Sequence, residues 1–255
     1  MSNFKACIVL SLQYEQGLNY GYNLDAVKNV VDTLHKYNVN IPPIILLTNY
    51  KDLVVDNKRI TEVRQVQTKL YKPRPEAMAS PYGTIGFYKL DIFSIYDYDR
   101  IIYLDLDVLT KQNISELWNP QQFNKNSVYA FNEKNIPSLE HTGDYYNFGV
   151  MVINRSEMLL NEHMYKTMIM FANTRLPTKG EAEKDILNYV LNAYPGLVTI
   201  GNLPQEYNYF VTLLNTDEDF KRAKIIHFSA FPKPWRIKNP NSTVKKFYYR
   251  VLTEI

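Results

Sequence analysis

Three short runs are almost wholly apolar: Ala6-Cys7-Ile8-Val9-Leu10, Ile44-Ile45-Leu46-Leu47 and Ile101-Ile102-Tyr103-Leu104. Each is too short for an ordinary helix and lacks the alternation of a half-exposed strand. Such runs fit strands covered on both faces, as in a parallel sheet. Between the first two, Leu24, Val27, Val30, Val31 and Leu34 recur at helical spacing, and Asn40-Ile41-Pro42-Pro43 ends the pattern. Strand, helix, strand in this order is a βαβ unit. The third run stops at Asp105-Leu106-Asp107. On an extended chain the side chains at i and i+2 share a side, and ligands of open α/β sheets sit beyond the carboxyl ends of the strands. Two hard oxygen donors there suit Mg(II) or Mn(II) holding a phosphate group. An acid pair after a strand serves equally well as loop or helix-cap residues, so the stretch alone leaves both readings open.

Bulk properties narrow the class. The chain has 255 residues, within the range of a single α/β domain. A hydrophobic share of 45% with 22% charged residues is ordinary globular composition. A net charge of +3, without a block of like charge, argues against nucleic acid as a partner. The lone Cys7 excludes an intramolecular disulfide and reads as a buried small hydrophobe. No apolar run approaches the roughly 20 residues that span a bilayer, and no signal peptide is visible. The expectation is a soluble, cytoplasmic protein without a membrane span.

Further along, residues 60–66 read as a third strand and 83–96 as a helix with a broad apolar face, carrying Lys89 near its middle. A short helix is expected over 114–118 and a strand over 127–131. Asp144-Tyr145-Tyr146-Asn147-Phe148-Gly149 reads as a polar-aromatic turn entering a buried strand that ends at Asn154. Two helices follow, 156–172 with Ser156 as N-cap and 181–194 stopped by Pro195-Gly196. The loop 177–180 separates them. Asp217-Glu218-Asp219 reads as a loop, 224–228 as a last strand ending near His227, and 242–255 as a basic helix. An alternating first half and a mixed second half imply a mostly parallel, Rossmann-like sheet flanked by helices, with a small antiparallel part.

Three stretches, in this order, carry a family resemblance. Leu104-Asp105-Leu106-Asp107 resembles the DxD element of nucleotide-sugar glycosyltransferases. Tyr146-Asn147-Phe148-Gly149-Val150-Met151-Val152-Ile153-Asn154 resembles the N-S-G-V element of family 8 glycosyltransferases, and His227-Phe228-Ser229-Ala230-Phe231-Pro232-Lys233-Pro234-Trp235 resembles their HxxGxxKPW element. Phe87-Tyr88-Lys89-Leu90 and Arg74-Pro75-Glu76 are similar to glycogenin segments. The likeness spans residues 7–235. It implies a GT-A-type fold over 1–255, with 1–110 as the nucleotide-binding half, 111–240 as the sugar and acceptor half, and 241–255 as a C-terminal helix.

The resemblance also implies roles. Asp105, Asp107 and His227 would bind Mn(II), or Mg(II) in its place. Lys233 would face the diphosphate of UDP, with Leu106 between the acids and Ala230 near the phosphates. Arg74 and Lys89 would lie toward the sugar phosphate, and Asp144 and Asn147 toward sugar hydroxyls. Leu10, Leu12 and Tyr20 align loosely with uracil-contacting positions. Glu183, Lys184 and Asp185 stand where many members carry D-Q-D facing the sugar. Lys184 in place of glutamine would pair with Glu183 or Asp185, or lie on the surface. Lys89 either faces an anion or snorkels. The implied reaction is metal-dependent, retaining transfer of a hexose, glucose first, from a UDP-sugar to a protein side chain, the enzyme's own included, or to a saccharide. Tyr209 fits the self-glucosylated tyrosine of glycogenins poorly. Two alternatives stand beside this reading. One is a sugar-nucleotide-binding relative without turnover, favoured by Lys184 and by Ala230 in place of glycine. The other is a DxD phosphatase, for which Thr110 falls one place late. Oligomeric state is left open, a homodimer included.

Overall fold

The computed structural model describes residues 4–13, 24–51, 53, 55–72, 83–136, 143–157, 161–174, 183–195, 198–214, 216–229, 233–239 and 242–253. The three apolar runs form strands β1 (Ala6–Leu12), β2 (Ile44–Thr48) and β4 (Arg100–Leu104), with β3 (Glu62–Gln65) at the edge. Helix α1 (Leu24–Tyr37) connects β1 to β2. These four strands run parallel in the order β3-β2-β1-β4. Beyond β4 come β7 (Tyr146–Asn154) and β6 (Val128–Asn132), each antiparallel to its predecessor, and β8 (Ile200–Asn202), parallel to β6. The result is a seven-stranded, mostly parallel sheet.

Period two still operates inside the apolar strands. Cys7, Val9, Ile101, Tyr103, Met151 and Ile153 pack on one face with the helical segment Gly83–Ser94, α2 (Asn161–Thr174) and α3 (Glu183–Ala193). Ile8, Leu10, Ile102, Leu104, Val150 and Val152 pack on the other face with α1 and the turn around Leu117. Both faces are covered, which is why no polar residue interrupts these runs.

A second, three-stranded sheet holds β5 (Val108–Thr110), β10 (Ile225–His227) and β9 (Tyr209–Phe210) in the order β5-β10-β9. β10 is antiparallel to β5 and parallel to β9. Helices α4 (Asp217–Arg222) and α5 (Thr243–Thr253) close a third core over it through Phe220, Phe228, Tyr248 and Val251.

Several expectations need correction. Residues 146–149 belong to β7 itself, because Asn147 and Tyr146 pair with Phe131 and Asn132 beyond a register shift that leaves residues 148–150 of β7 without partners in β6. The helix expected from Ser156 is described from Asn161, and Ser156 lies in a turn. The 83–96 helix ends at Ser94 and winds with i→i+3 spacing, as in the bond from Ile95 N–H to Ile92 O at 3.3 Å at its end. Residues 217–219 start helix α4 rather than a loop. Thr216 accepts from Asp219 N–H at 3.1 Å while Asp219 accepts from Thr216 N–H at 3.0 Å, a reciprocal capping box. Among the described residues no helix is long and apolar enough to cross a membrane.

Candidate active site

The chain turns at Leu106 and Asp107, between β4 and β5, so the two acids do not share an extended segment. They converge nonetheless. Asp105 N–H donates to Gly149 O at 2.8 Å, and Phe228 N–H to Asp107 O at 2.8 Å, which ties the turn to β7 and to the end of β10. The antiparallel register sets His227 opposite Val108, one residue from Asp107. Ligand atoms of Asp105, Asp107 and His227 all lie within 4.8 Å of one another. Gly149 makes room for this: a Cβ there would lie 2.2 Å from His227 Cε1.

The electrostatics suit a cation. Burial would raise the Asp107 carboxyl, but Lys233 and His227 outweigh it and hold the group well below the usual carboxylate range. Lys233 Nζ contacts Asp107 Oδ2 at 2.5 Å and also donates to Phe228 O at 3.1 Å. His227 Nε2 lies 3.3 Å from Asp107 Oδ1. Asp105 Oδ1 accepts from the Tyr103 hydroxyl at 2.6 Å and from Lys89 Nζ at 3.0 Å. Two carboxylates and an imidazole form the donor set that Mn(II) accepts, and Mg(II) less readily because of the nitrogen. The residues fit the ion.

Lys89 does not snorkel. It is buried, lies over the Tyr103 ring at 4.5 Å, and reaches Glu183 Oε1 at 3.9 Å as well as Asp105. Glu183 opens α3 beside it. Burial pushes the Glu183 carboxyl up to about 7 against the pull of Lys89, with the Asp105 charge adding to the rise. Asp185, on the next face of the same turn, accepts from the Tyr145 hydroxyl at 2.8 Å.

Lys184 is a correction. It is half-buried, and its described ion pair is with Glu133 rather than with Glu183 or Asp185. Its ammonium donates to both oxygens of Glu133 at 2.9 and 3.0 Å and lies over the Tyr145 ring. The helical geometry explains this, because adjacent residues on a helix diverge. Asn147 lies in the same network: Oδ1 accepts from Gly149 N–H at 2.9 Å and from Asn208 Nδ2 at 3.0 Å, and Nδ2 donates to Glu133 at 3.0 Å. Asp144 is exposed and is held by Asn132 and Lys134. The side chains of Leu10 and Leu12 are buried in the core below the sheet tip, which leaves their backbone, not their side chains, for a base. Leu106 packs against the same core from the turn. Tyr20, Arg74 and Ala230 lie outside the described residues. Tyr209 is buried, with its hydroxyl donating to Asp219 at 2.9 Å, so it is not presented as an acceptor.

Tyr103, Glu133 and Asn208 take part in the site, and none belongs to the motifs that pointed to it. Tyr103 is within reach of sequence reasoning, standing two residues before Asp105 in an otherwise aliphatic strand. Glu133 and Asn208 sit in no motif.

A mostly parallel sheet with acids at the tip of β4 and a histidine on a small neighbouring sheet is the GT-A architecture of nucleotide-sugar glycosyltransferases. The glycosyltransferase GlyE of Streptococcus pneumoniae superposes with a TM-score of 0.67 at 16% identity, covering 98% of this chain and 60% of that one. An active-site mutant of LgtC superposes at 0.61 with 14% identity, covering 97% and 95%. The chain belongs to glycosyl transferase family 8, whose model matches residues 26–239, and it is a glycosyltransferase. That membership removes the phosphatase alternative. Among curated relatives, a lipopolysaccharide 1,2-glucosyltransferase of Escherichia coli is 23% identical over 86% of this chain and 71% of its own length. Human glycogenin-2 is 26% identical over 78% of this chain, which spans 36% of glycogenin-2.

Proposed function

We propose that this chain transfers a hexose, glucose first among candidates, from a UDP-sugar to a saccharide or protein acceptor with retention of configuration, and that it uses Mn(II) at Asp105, Asp107 and His227. The observation that carries this reading is the convergence of those three ligand groups within 4.8 Å, with the ammonium of Lys233 against Asp107 favouring its carboxylate form. A divalent cation bound there supplies Lewis acidity to the leaving diphosphate. The chain's own residues do the rest. Lys233, beside Asp107, presents an ammonium to a diphosphate drawn to these carboxylates. Lys89 sits between Asp105 and Glu183, on the side where the sugar phosphate would lie. Glu183 and Asp185 open α3 toward the sugar and stabilise positive charge at its anomeric carbon. The oxygen of Asn147 is already filled by two donors, so its contact with a sugar hydroxyl runs through Nδ2. The sugar and acceptor half is read as 111–240, the nucleotide half as 1–110.

The glucosyltransferase and glycogenin relatives support glucose as the first donor to test. The test is UDP release from UDP-glucose, UDP-galactose and UDP-xylose with Mn(II) or EDTA, alongside intact mass of the protein. Release from one sugar, dependent on Mn(II), establishes the donor, and a mass ladder in hexose steps establishes transfer to the chain itself. Asp107→Ala is expected to lower metal-dependent release by at least about 1,000-fold; full release from that variant would overturn the metal assignment. Tight UDP binding without release would favour the reading of a binding protein without turnover.

A further inference from the structure

The two ring nitrogens of His227 face different partners. Nε2 points to Asp107 Oδ1 at 3.3 Å, and Nδ1 lies 2.8 Å from Asn208 Oδ1. A neutral imidazole carries one hydrogen, and only the other nitrogen offers a lone pair to a cation. The orientation of Asn208 therefore decides which nitrogen serves as ligand atom.

That orientation is dictated from the far end of a buried chain. Asn208 Nδ2 donates to Asn147 Oδ1 at 3.0 Å. Asn147 cannot turn over, because Gly149 N–H donates to its Oδ1 at 2.9 Å while its Nδ2 donates to Glu133 Oε1 at 3.0 Å. A backbone N–H only donates, and an ionised carboxylate only accepts. Both oxygens of Glu133 also accept from the ammonium of Lys184, at 2.9 and 3.0 Å. Turning either amide would set N–H against N–H at Gly149, or oxygen against oxygen at Asn147 or Glu133. Glu133, Asn147, Asn208 and His227 are all buried, and Asn208 is 0% exposed. Water therefore does not relieve a mismatch, and each reversed contact would cost what a buried unsatisfied polar group costs.

We propose that Asn208 is the positioning residue of His227: it accepts the Nδ1 hydrogen, holds that tautomer, and turns the Nε2 lone pair toward Asp105 and Asp107 for a divalent cation. Lys184, Glu133 and Asn147 keep Asn208 in that sense. Lys184 thus acts through the metal ligand, although it stands next to Glu183 in sequence. The inference rests on the metal reading proposed above.

The test has two parts. Histidine side chains of the 15N-labelled, metal-free protein are assigned at pH 8 by long-range 1H–15N correlation, with His227→Asn identifying the His227 signals among the four histidines. The expected result is a hydrogen on Nδ1 and none on Nε2. Nε2–H without Nδ1–H in the wild-type protein overturns the proposal, whatever any variant does. Second, Asn208→Leu and Asn208→Asp are compared for the same signals and for Mn(II) affinity by electron paramagnetic resonance. Asn208→Leu is expected to shift His227 toward Nε2–H and to weaken Mn(II) binding about 10- to 100-fold. Asn208→Asp keeps an acceptor for the imidazole while placing an oxygen against Asn147 Oδ1; it is expected to restore the Nδ1–H form and to recover part of the affinity lost in Asn208→Leu. A folded Asn208→Leu protein with the wild-type tautomer and affinity overturns the proposal. If wild type binds no Mn(II), the metal reading of the site fails instead, and the tautomer measurement still decides what Asn208 does.

Discussion

A missing methyl group decides where His227 can sit. With a Cβ at Gly149 placed 2.2 Å from His227 Cε1, either β7 or the imidazole would have to move. Gly149→Ala is expected to leave the fold intact and to weaken Mn(II) binding about tenfold or more, read by electron paramagnetic resonance titration. Glu183 gives a second prediction at this scale. Its carboxyl lies at about 7 in the fold against an ordinary value of 4.5, so the fold favours the protonated form. The resulting stabilisation is complete below about 4.5 and is lost as pH rises through about 7. In EDTA, urea denaturation of wild type is expected to lose roughly 1–3 kcal/mol between about pH 5 and 8 relative to Glu183→Gln. Parallel profiles for the two proteins would refute the assignment. Individual residues were legible where a contiguous motif held them: Asp105, Asp107, His227 and Lys233 all sit in such stretches. Asn208 and Glu133 act through contacts across the fold, which no local spacing encodes. The partner of Lys184 is hidden for the same reason, since it lies 51 residues away.

At the scale of elements, the start of β4 depends on a buried cation. Arg100 is 1% exposed and donates to Asn154 Oδ1 at 2.7 Å and to the carbonyls of Asn119 at 2.5 Å, Phe123 at 3.2 Å and Leu117 at 3.3 Å. Burial lowers its guanidinium to about 10. These contacts clamp the 117–123 loop, where Phe123 takes a left-handed φ of 46° that a bulky residue rarely adopts. Asn154 Nδ2 holds the same Phe123 carbonyl at 2.6 Å. Arg100→Met is expected to cost roughly 2–4 kcal/mol in urea denaturation and to open the 117–123 loop to proteolysis first. Elements with a strong periodic or wholly apolar signature were legible, as β1, β2, β4 and α1 illustrate. The α4 helix was not, although Thr216 and Asp219 spell a capping box; six residues give too little periodicity to separate a short helix from an acidic loop. The first half of β7 reads as a turn because Asn147 and Gly149 carry turn-like residues into a strand, and both serve the site at its end.

For the whole molecule, the large sheet protects what lies at its centre. Cys7 is fully buried in β1, and burial pushes its thiol up to about 12, with Asp97 adding to the rise. Iodoacetamide at about pH 8 is therefore expected to leave Cys7 unmodified for hours in the native protein and to label it within minutes in concentrated urea. Fast labelling without denaturant would mean that β1 opens locally. The architecture was legible in outline because apolar runs and helical stripes alternate along the first half. The second half was less so: the antiparallel pairing of β4, β7 and β6 and the separate sheet β5-β10-β9 depend on long-range partners.

The small sheet also sets the order in which the site is made. Both acids belong to the turn after β4, whereas the histidine rides on β10, and β10 is pinned from behind by α5 through the ring contact of Phe228 with Tyr248 at 5.2 Å. On the ribosome the acids emerge well before the histidine and its clamp. A nascent chain therefore carries only an open pair of carboxylates, a weak and unselective trap for metals, while β1, β2 and β4 assemble. The three-residue cluster is complete only once β10 lies beside β5, so it belongs to the later part of the chain's assembly.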